Sequence, residues 1–281
     1  MLKFSTTSEN DKITSIAIGG FDGLHTAHKK LLAELDENGA LLVIEKGFSP
    51  ALTPGLERCR HISFPCFFLD FAAIRSMEAV DFLHYLRRLF PMLQKIIVGY
   101  DFRFGKDRAG DPSLLRRMED IAVTVIEEYV TDGVSVHADK IRRLLKAGKI
   151  KEANRLLGRE YAVRGTLVRG QGLGGKALYP TCNLETGDFL LPKEGVYVTR
   201  TVIGEKYYTS VTFIGKRLSA DNQFSVETHI LDENLDVKEK ELEVFFLEYL
   251  RPIRKFETLQ ELKQQISDDI KKAKSYEFGD M

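Results

Sequence analysis

Near Tyr161 the chain changes texture, and that change constrains the fold more than any other feature. Upstream, short apolar runs alternate with amphipathic stretches. Ile13–Gly19, Ala40–Glu45, Cys66–Phe71 and Lys95–Tyr100 read as buried strands, and His28–Asp36 and Met77–Phe90 as helices, the latter with Val80, Phe82, Leu83, Leu86 and Leu89 at near-helical spacing. Strand–helix alternation of this kind predicts an α/β unit with a parallel sheet, whose ligands bind at the carboxyl ends of the strands. Downstream, Tyr161–Arg169, Gly195–Ile203, Lys206–Ile214, Phe224–Leu231 and Lys240–Tyr249 are β-rich runs with no helix between them. They suggest an antiparallel barrel or sandwich. Ala138–Leu157 reads as a linker of two short helices broken at Gly148. A last helix carries Phe256, Leu259, Leu262, Ile266, Ile270 and Ala273 on one face and starts at a Thr258/Glu261 capping box.

With 281 residues, two domains are the natural reading, 1–158 and 159–281. The 41 basic and 41 acidic residues cancel, so no broad field favours nucleic acid or an anionic membrane, and phosphate contacts should be local. Cys59, Cys66 and Cys182 form no CxxC pair, which argues against a disulfide framework or zinc site and for a reducing compartment. The first residues hold no apolar signal core, and no long uncharged apolar run occurs. A cytoplasmic protein is expected, and no obligate protein partner is evident.

The most informative segment runs from Arg164 to Asn183, RGTLVRGQGLGGKALYPTCN. Its glycines (Gly170, Gly172, Gly174, Gly175) follow a strand and would let backbone amides approach a phosphate closely. Gly170, Gly172 and Gly175 satisfy G-x-G-x-x-G, but Pro180 forbids the long helix a dinucleotide fingerprint opens. A P-loop fails too, because Ala177 stands where the magnesium-binding hydroxyl is required.

Taken whole, the segment resembles the riboflavin kinase family, whose glycine loop runs into P-T-A-N. Three further motifs follow in order: Leu191-Pro192 with Gly195-Val196-Tyr197, then Val226-Glu227-Thr228-His229-Ile230-Leu231-Asp232, then Leu250-Arg251-Pro252 with Lys255-Phe256. The resemblance implies that Glu227 is the general base for the riboflavin 5′-hydroxyl as it attacks ATP. It also implies that Thr181 and Asn183 hold magnesium through neutral oxygens, and that Gly170 and Gly172 cradle phosphate. Each residue alone has a blander reading, since a strand Glu is usually solvent-facing and Thr and Asn beside Pro usually make a turn. Leu178, Gly175 and Lys238-Glu239 depart from the family pattern around the flavin pocket.

In the first half, Gly19-Gly20-Phe21-Asp22-Gly23-Leu24-His25-Thr26-Ala27-His28 follows a strand and leads into a helix. It resembles the G-x-F-D-G-x-H-x-G-H signature of cytidylyltransferase-like nucleotidyltransferases, and specifically the FMN adenylyltransferase half of bacterial FAD synthetases. Val98-Gly99-Tyr100-Asp101-Phe102-Arg103-Phe104-Gly105-Lys106-Asp107-Arg108-Ala109-Gly110-Asp111 extends that resemblance. It implies that His25 and His28 stabilise charge on the reacting phosphorus, and that Gly19, Gly20, Phe21, Asp22, Asp101 and Arg108 contact nucleotide or flavin. Phe102 and Phe104 are expected to pack the loop. The two histidines could instead be helix caps.

Departures are heavier here. Ala27 replaces a glycine, and His137-Ala138-Asp139 replaces the S-S-T that precedes the linker. A hydrogen bond lost to a charged group costs about 1.5–3 kcal/mol, roughly one to two decades in rate, so weakening rather than abolition is expected. His137 could substitute as a donor. The resemblance implies a Rossmann-like α/β nucleotidyltransferase joined to an antiparallel β-barrel kinase with a C-terminal helix, using ATP twice with Mg2+ and taking riboflavin and FMN as substrates. The rivals are a kinase with a degenerate first half, and a non-catalytic flavin-binding regulatory protein.

Overall fold

Alternation of apolar strands with amphipathic helices produces a parallel sheet in the first half. The computed structural model describes residues 11–47, 50–118, 120–168, 179–216, 224–231, 237 and 239–277. In chain order come β1 (Ser15–Gly19), α1 (Thr26–Leu32), β2 (Gly39–Glu45), β3 (Cys66–Asp70), α2 (Phe71–Ile74), α3 (Ala79–Leu89), β4 (Lys95–Gly99), α4 (Pro112–Leu115) and β5 (Ala122–Ile126). All pairings are parallel and the spatial order is β3-β2-β1-β4-β5. The chain thus winds to one side of β1, then crosses back to β4 on the other. That reversal makes the carboxyl ends of β1 and β4 the crevice of the sheet.

Both sheet faces are covered, as a parallel sheet requires. On one, Ile16, Ile18, Leu42, Ile96 and Val98 pack with Phe82, Leu83, Leu86 and Phe90 of α3 and its exit; on the other, Ala17, Leu41, Val43 and Ile97 pack with Leu31, Phe21 and Leu24. The buried stripe of α3 is Ala79, Phe82, Leu83 and Leu86. Val80, which the spacing assigned to that face, is exposed, because it lies about 100° around the helix from Ala79. A hairpin of β6 (Val130–Thr131) and β7 (Val134–Ser135) follows β5.

Chain contacts divide between Ala138 and Asp139. Helices α5 (Ala138–Lys146) and α6 (Ile150–Leu157) are separated at Gly148, whose φ of 78° suits glycine. They pack with the second unit. Buried Asn154 fixes α6 there, donating Nδ2 to the Phe246 carbonyl at 2.9 Å while Oδ1 accepts the Tyr161 amide at 2.8 Å.

The second unit is a closed antiparallel barrel of β8 (Tyr161–Val168), β9 (Cys182–Glu185), β10 (Gly195–Ile203), β11 (Lys206–Lys216), β12 (Phe224–Ile230) and β13 (Glu241–Arg251), in the order β10-β11-β12-β9-β8-β13. The sequence suggested five of these strands; β9 closes the ring. Inward residues include Tyr161, Val163, Tyr197, Ile214, Val226, Val244 and Phe246. Helix α7 (Leu259–Lys274) is capped by Thr258, whose Oγ accepts the Glu261 amide at 3.2 Å, and it lays Ile270 and Ala273 against Val198, Val211 and Leu247. Leu259, expected on that apolar face, is exposed in the first turn. Among the described residues no helix is long and apolar enough to cross a membrane.

The barrel holds α7 by charge as well. Arg251 Nε and Nη2 clasp the carboxylate of Asp269 at 2.9 and 2.7 Å, and Asp269 is 2% exposed. Removing one partner of a buried pair strands the other charge, at about 3–5 kcal/mol. Arg251→Ala should therefore lower stability by about that amount in urea unfolding, and a loss below about 1 kcal/mol would show the pair to be worth no more than a surface one.

Candidate functional site

The two glycine-bearing motifs of the first unit, the first of which carries the histidines, leave the sheet from adjacent strands. Gly19 ends β1 and Gly99 ends β4, so residues 19–28 and 99–111 both stand at the crevice. The first loop turns sharply. Phe21 and Leu24 adopt positive φ (49° and 40°), held there by burial of both side chains in the core, and the Leu24 amide donates to the Phe21 carbonyl at 3.2 Å. Of Phe21, then, only the backbone is available to a ligand. Gly20 differs: a Cβ there would meet no protein atom within 4 Å, so neither packing nor φ demands glycine.

Asp22 supports the loop. Its carboxylate accepts the backbone amides of Leu52 and Thr53 at 3.2 and 2.9 Å, while Thr53 Oγ accepts the Gly23 amide at 2.8 Å. This stitches the loop to residues 52–53, and sequence reasoning missed Thr53 because nothing local marks it. His25 is the residue before α1 but makes no side-chain capping bond. Its ring instead stacks on His28, with centroids 3.6 Å apart and planes 15° apart, and His28 also meets the Phe21 ring at 5.1 Å. One face of paired imidazoles thus stands where the strand ends.

The second loop is built around its aromatics, as the sequence suggested. Phe102 and Phe104 stack at 5.6 Å, Phe104 packs on Phe82, and Phe104 and Gly110 exchange both backbone hydrogen bonds. A Cβ at Gly110 would come within 2.6 Å of the Phe104 ring, which is why glycine stands there. Asp111 caps α4 by accepting the Leu114 amide at 3.0 Å. Asp101 and Arg108 remain on the exposed rim. Near Tyr100, Glu128 accepts from Ser135 Oγ and lies 3.7 Å from His137 Nε2. The Ser135 bond, then His137, hold its carboxyl below the usual range, while burial and the Glu128 charge push the Tyr100 phenol up. His137, considered as a phosphate donor, is engaged with Glu128.

In the second unit, strand pairing brings the expected catalytic residues together. Glu227 of β12 stands directly opposite Asn183 of β9, which places both side chains on one face. Thr181 immediately precedes β9, two residues before Asn183. Glu227 is half-buried, Asn183 buried and Thr181 exposed. Ser225 Oγ donates to Glu227 Oε1 at 2.9 Å and so orients the carboxylate. His229, the next residue on that face, lies 2.7 Å through Nδ1 from the Pro180 carbonyl, with its ring 5.1 Å from Tyr179. The expected phosphate loop with Gly170 and Gly172, and the departures at Gly175, Leu178 and Lys238, lie outside the described residues. Val168, the last residue of β8, pairs with Asn183. Among the described residues no three His, Cys, Asp or Glu side chains gather as metal ligands.

Comparisons with known proteins agree with this geometry. A family model described as riboflavin kinase matches residues 157–277, and one described as FAD synthetase matches residues 63–140. The bifunctional riboflavin kinase/FMN adenylyltransferase of Escherichia coli (strain K12) is 31% identical over 94% of this chain and 92% of its own length. That of Pseudomonas fluorescens is 28% identical over 92% and 91%. A crystal structure titled as a macrolide-efflux protein from Streptococcus pneumoniae superposes with a TM-score of 0.86 over 97% of both chains at 23% identity, a likeness of fold. Near-complete overlap at this identity settles the relationship: the chain belongs to the bifunctional riboflavin kinase/FMN adenylyltransferase family.

Proposed function

We propose that this protein phosphorylates riboflavin to FMN in its second unit and adenylylates FMN to FAD in its first, using ATP in both steps. The observation that carries the reading is the cross-strand pairing of Glu227 with Asn183, with Thr181 just ahead of the same strand. In the kinase step Glu227 takes the proton of the riboflavin 5′-hydroxyl as that oxygen bonds to the γ-phosphorus and ADP leaves. Ser225 keeps the receiving oxygen aimed. Thr181 and Asn183 are neutral oxygen donors beside a single carboxylate. That set suits Mg2+ arriving with the triphosphate, because Mg2+ retains water and phosphate oxygens as most of its ligands. When bound, the ion would offset negative charge on the phosphates.

In the first unit an FMN phosphate oxygen would attack the α-phosphorus and pyrophosphate would leave. Stacked His25 and His28 supply N–H donors to the phosphate oxygens at the end of β1. Gly20 leaves room for the triphosphate. Asp22 holds in place the loop that would meet the nucleotide. The reading places the enzyme in the cytoplasm, where its free cysteines would stay reduced.

Separating products after incubation with riboflavin, ATP and Mg2+ tests both halves. Glu227→Gln should lower FMN formation by about 10²–10⁴-fold while FAD formation from supplied FMN persists. A parent enzyme that turns over riboflavin but yields no FAD from FMN would remove the adenylyltransferase half of the proposal.

Gly20→Ala should leave the melting temperature unchanged and cut FAD formation alone; equal FAD output would show that no ligand approaches that backbone. At the kinase site a carbonyl can only accept, so His229 Nδ1 carries the hydrogen that ties Pro180, and with it Thr181, to β12. His229→Ala should raise the ATP KM of the kinase about five-fold, the worth of one neutral hydrogen bond. His229→Asn, whose amide nitrogen stands near the Nδ1 position, should restore it. Equal KM values for the two variants would refute the tie.

A further inference from the structure

The barrel interior contains a closed ring of five hydroxyls. Thr199 Oγ1 lies 2.7 Å from Ser210 Oγ and 2.8 Å from Thr212 Oγ1; Thr201 Oγ1 lies 2.8 Å from Ser210 Oγ and 3.3 Å from Thr228 Oγ1; Thr212 donates to Thr228 at 2.9 Å. Thr199–Ser210–Thr201–Thr228–Thr212 thus returns on itself, and every member is 0% exposed. A hydroxyl has one hydrogen to donate, so a ring lets each member donate once and accept once, leaving no buried group unpaired. Such a ring joins β10, β11 and β12 through a core that is otherwise lined by Ile214, Val226, Ile230, Val244 and Phe246.

We infer that this ring locks the register of β12, making Thr228 a positioning residue for the kinase step; the inference rests on the reading of Glu227 as the base. The inner face of β12 presents Val226, Thr228 and Ile230. A slip of one residue would drive Glu227 into the barrel, which burial of its charge forbids. A slip of two residues preserves every inward and outward assignment, and apolar packing discriminates against it weakly. It would bring Ser225 or His229, instead of Glu227, opposite Asn183. What rejects it is the ring: Val226 or Ile230 in the place of Thr228 would leave the Thr201 and Thr212 hydroxyls facing hydrocarbon. Lys216 pairs with Phe224, so seven residues join the two strands, more than the two-residue hairpin loops in which loop length itself sets register. One polar position on an apolar strand face therefore selects the alignment, as a single buried asparagine selects register in a coiled coil.

The test uses the full chain and follows FMN formation, FAD formation from supplied FMN, and thermal unfolding. In Thr228→Val the kinase kcat should fall about a hundred-fold with riboflavin and ATP KM values kept, because only the fraction of molecules in the native register turns over. Thr228→Ser should recover kcat to within about two-fold, since the hydroxyl is retained. Replacing all five (Thr199→Val, Thr201→Val, Ser210→Ala, Thr212→Val, Thr228→Val) leaves no hydroxyl stranded, so the melting temperature should match or exceed that of Thr228→Val while kcat stays low. FAD formation, a property of the other unit, should hold at the parental rate throughout. A folded five-position variant with parental kcat overturns the inference. Should that variant not fold, parental kcat in Thr228→Val, or equal loss in Thr228→Val and Thr228→Ser, overturns it as well. A parent chain that makes no FMN would instead remove the assignment of Glu227 and leave the ring a matter of stability.

Discussion

Two-residue alternation along the strands of a closed barrel governs the second unit. With no free edge, each strand is fixed by two neighbours, and a residue's number decides whether it meets the core or the outer face. On β12 the even positions Val226, Thr228 and Ile230 fill the interior, and the odd positions Ser225, Glu227 and His229 form one working face. On β9 the same rule sets Asn183 opposite Glu227, with Cys182 opposite Thr228. The carboxylate, the serine that orients it and the histidine that reaches Pro180 are therefore consequences of one register.

The first unit positions its chemistry by a different constraint. A parallel sheet with the order β3-β2-β1-β4-β5 has one place where successive connections diverge, and both motif loops emerge there. Loops have no ladder to hold them, so each is braced separately. The first is braced by the buried side chains of Phe21 and Leu24 and by the Asp22–Thr53 stitch; the second by the Phe102–Phe104 stack closed against Gly110.

Much of this was legible in the residues. The strands β1 to β4, the break at Gly148 and the cap at Thr258 follow from periodicity and local chemistry. What escaped was decided by distant parts of the chain. β5 (Ala122–Ile126) is as long as β1 but has no fully buried residue, and β9 (Cys182–Glu185) has only four residues, yet β9 completes the barrel and carries Asn183. Val80 and Leu259 are apolar but face solvent, since periodicity gives the faces and tertiary packing chooses among them. The hydroxyl ring reverses the usual rule. Thr199, Thr201, Ser210 and Thr212 alternate as a solvent face would, and only closure of the barrel turns that polar face inward. Asn154, read as part of a linker, anchors α6 because the pairing of β8 with β13 places the Tyr161 amide and Phe246 carbonyl within its reach. Asp22 was assigned by motif to the nucleotide; that it also accepts amides thirty residues on is a tertiary contact no local pattern announces.

The contrast between strand-borne and loop-borne chemistry also explains where the family pattern is kept and where it drifts. Glu227, Thr181 and Asn183 stand on or beside a ladder in which any substitution that shifts register displaces all of them together, and these residues retain the pattern. The departures in the first unit fall at Ala27, in the first turn of a short helix, and at His137 and Ala138, next to a two-stranded hairpin. Neither position is coupled by a ladder to the stacked histidines or to the end of β4. There a changed side chain alters its own contacts, as His137 does in meeting Glu128, and leaves the placement of His25 and His28 to the burial of Phe21 and Leu24. A site assembled from independently braced loops can lose individual phosphate donors one at a time, which lowers its rate by increments, whereas a site written into one register is kept or lost as a whole.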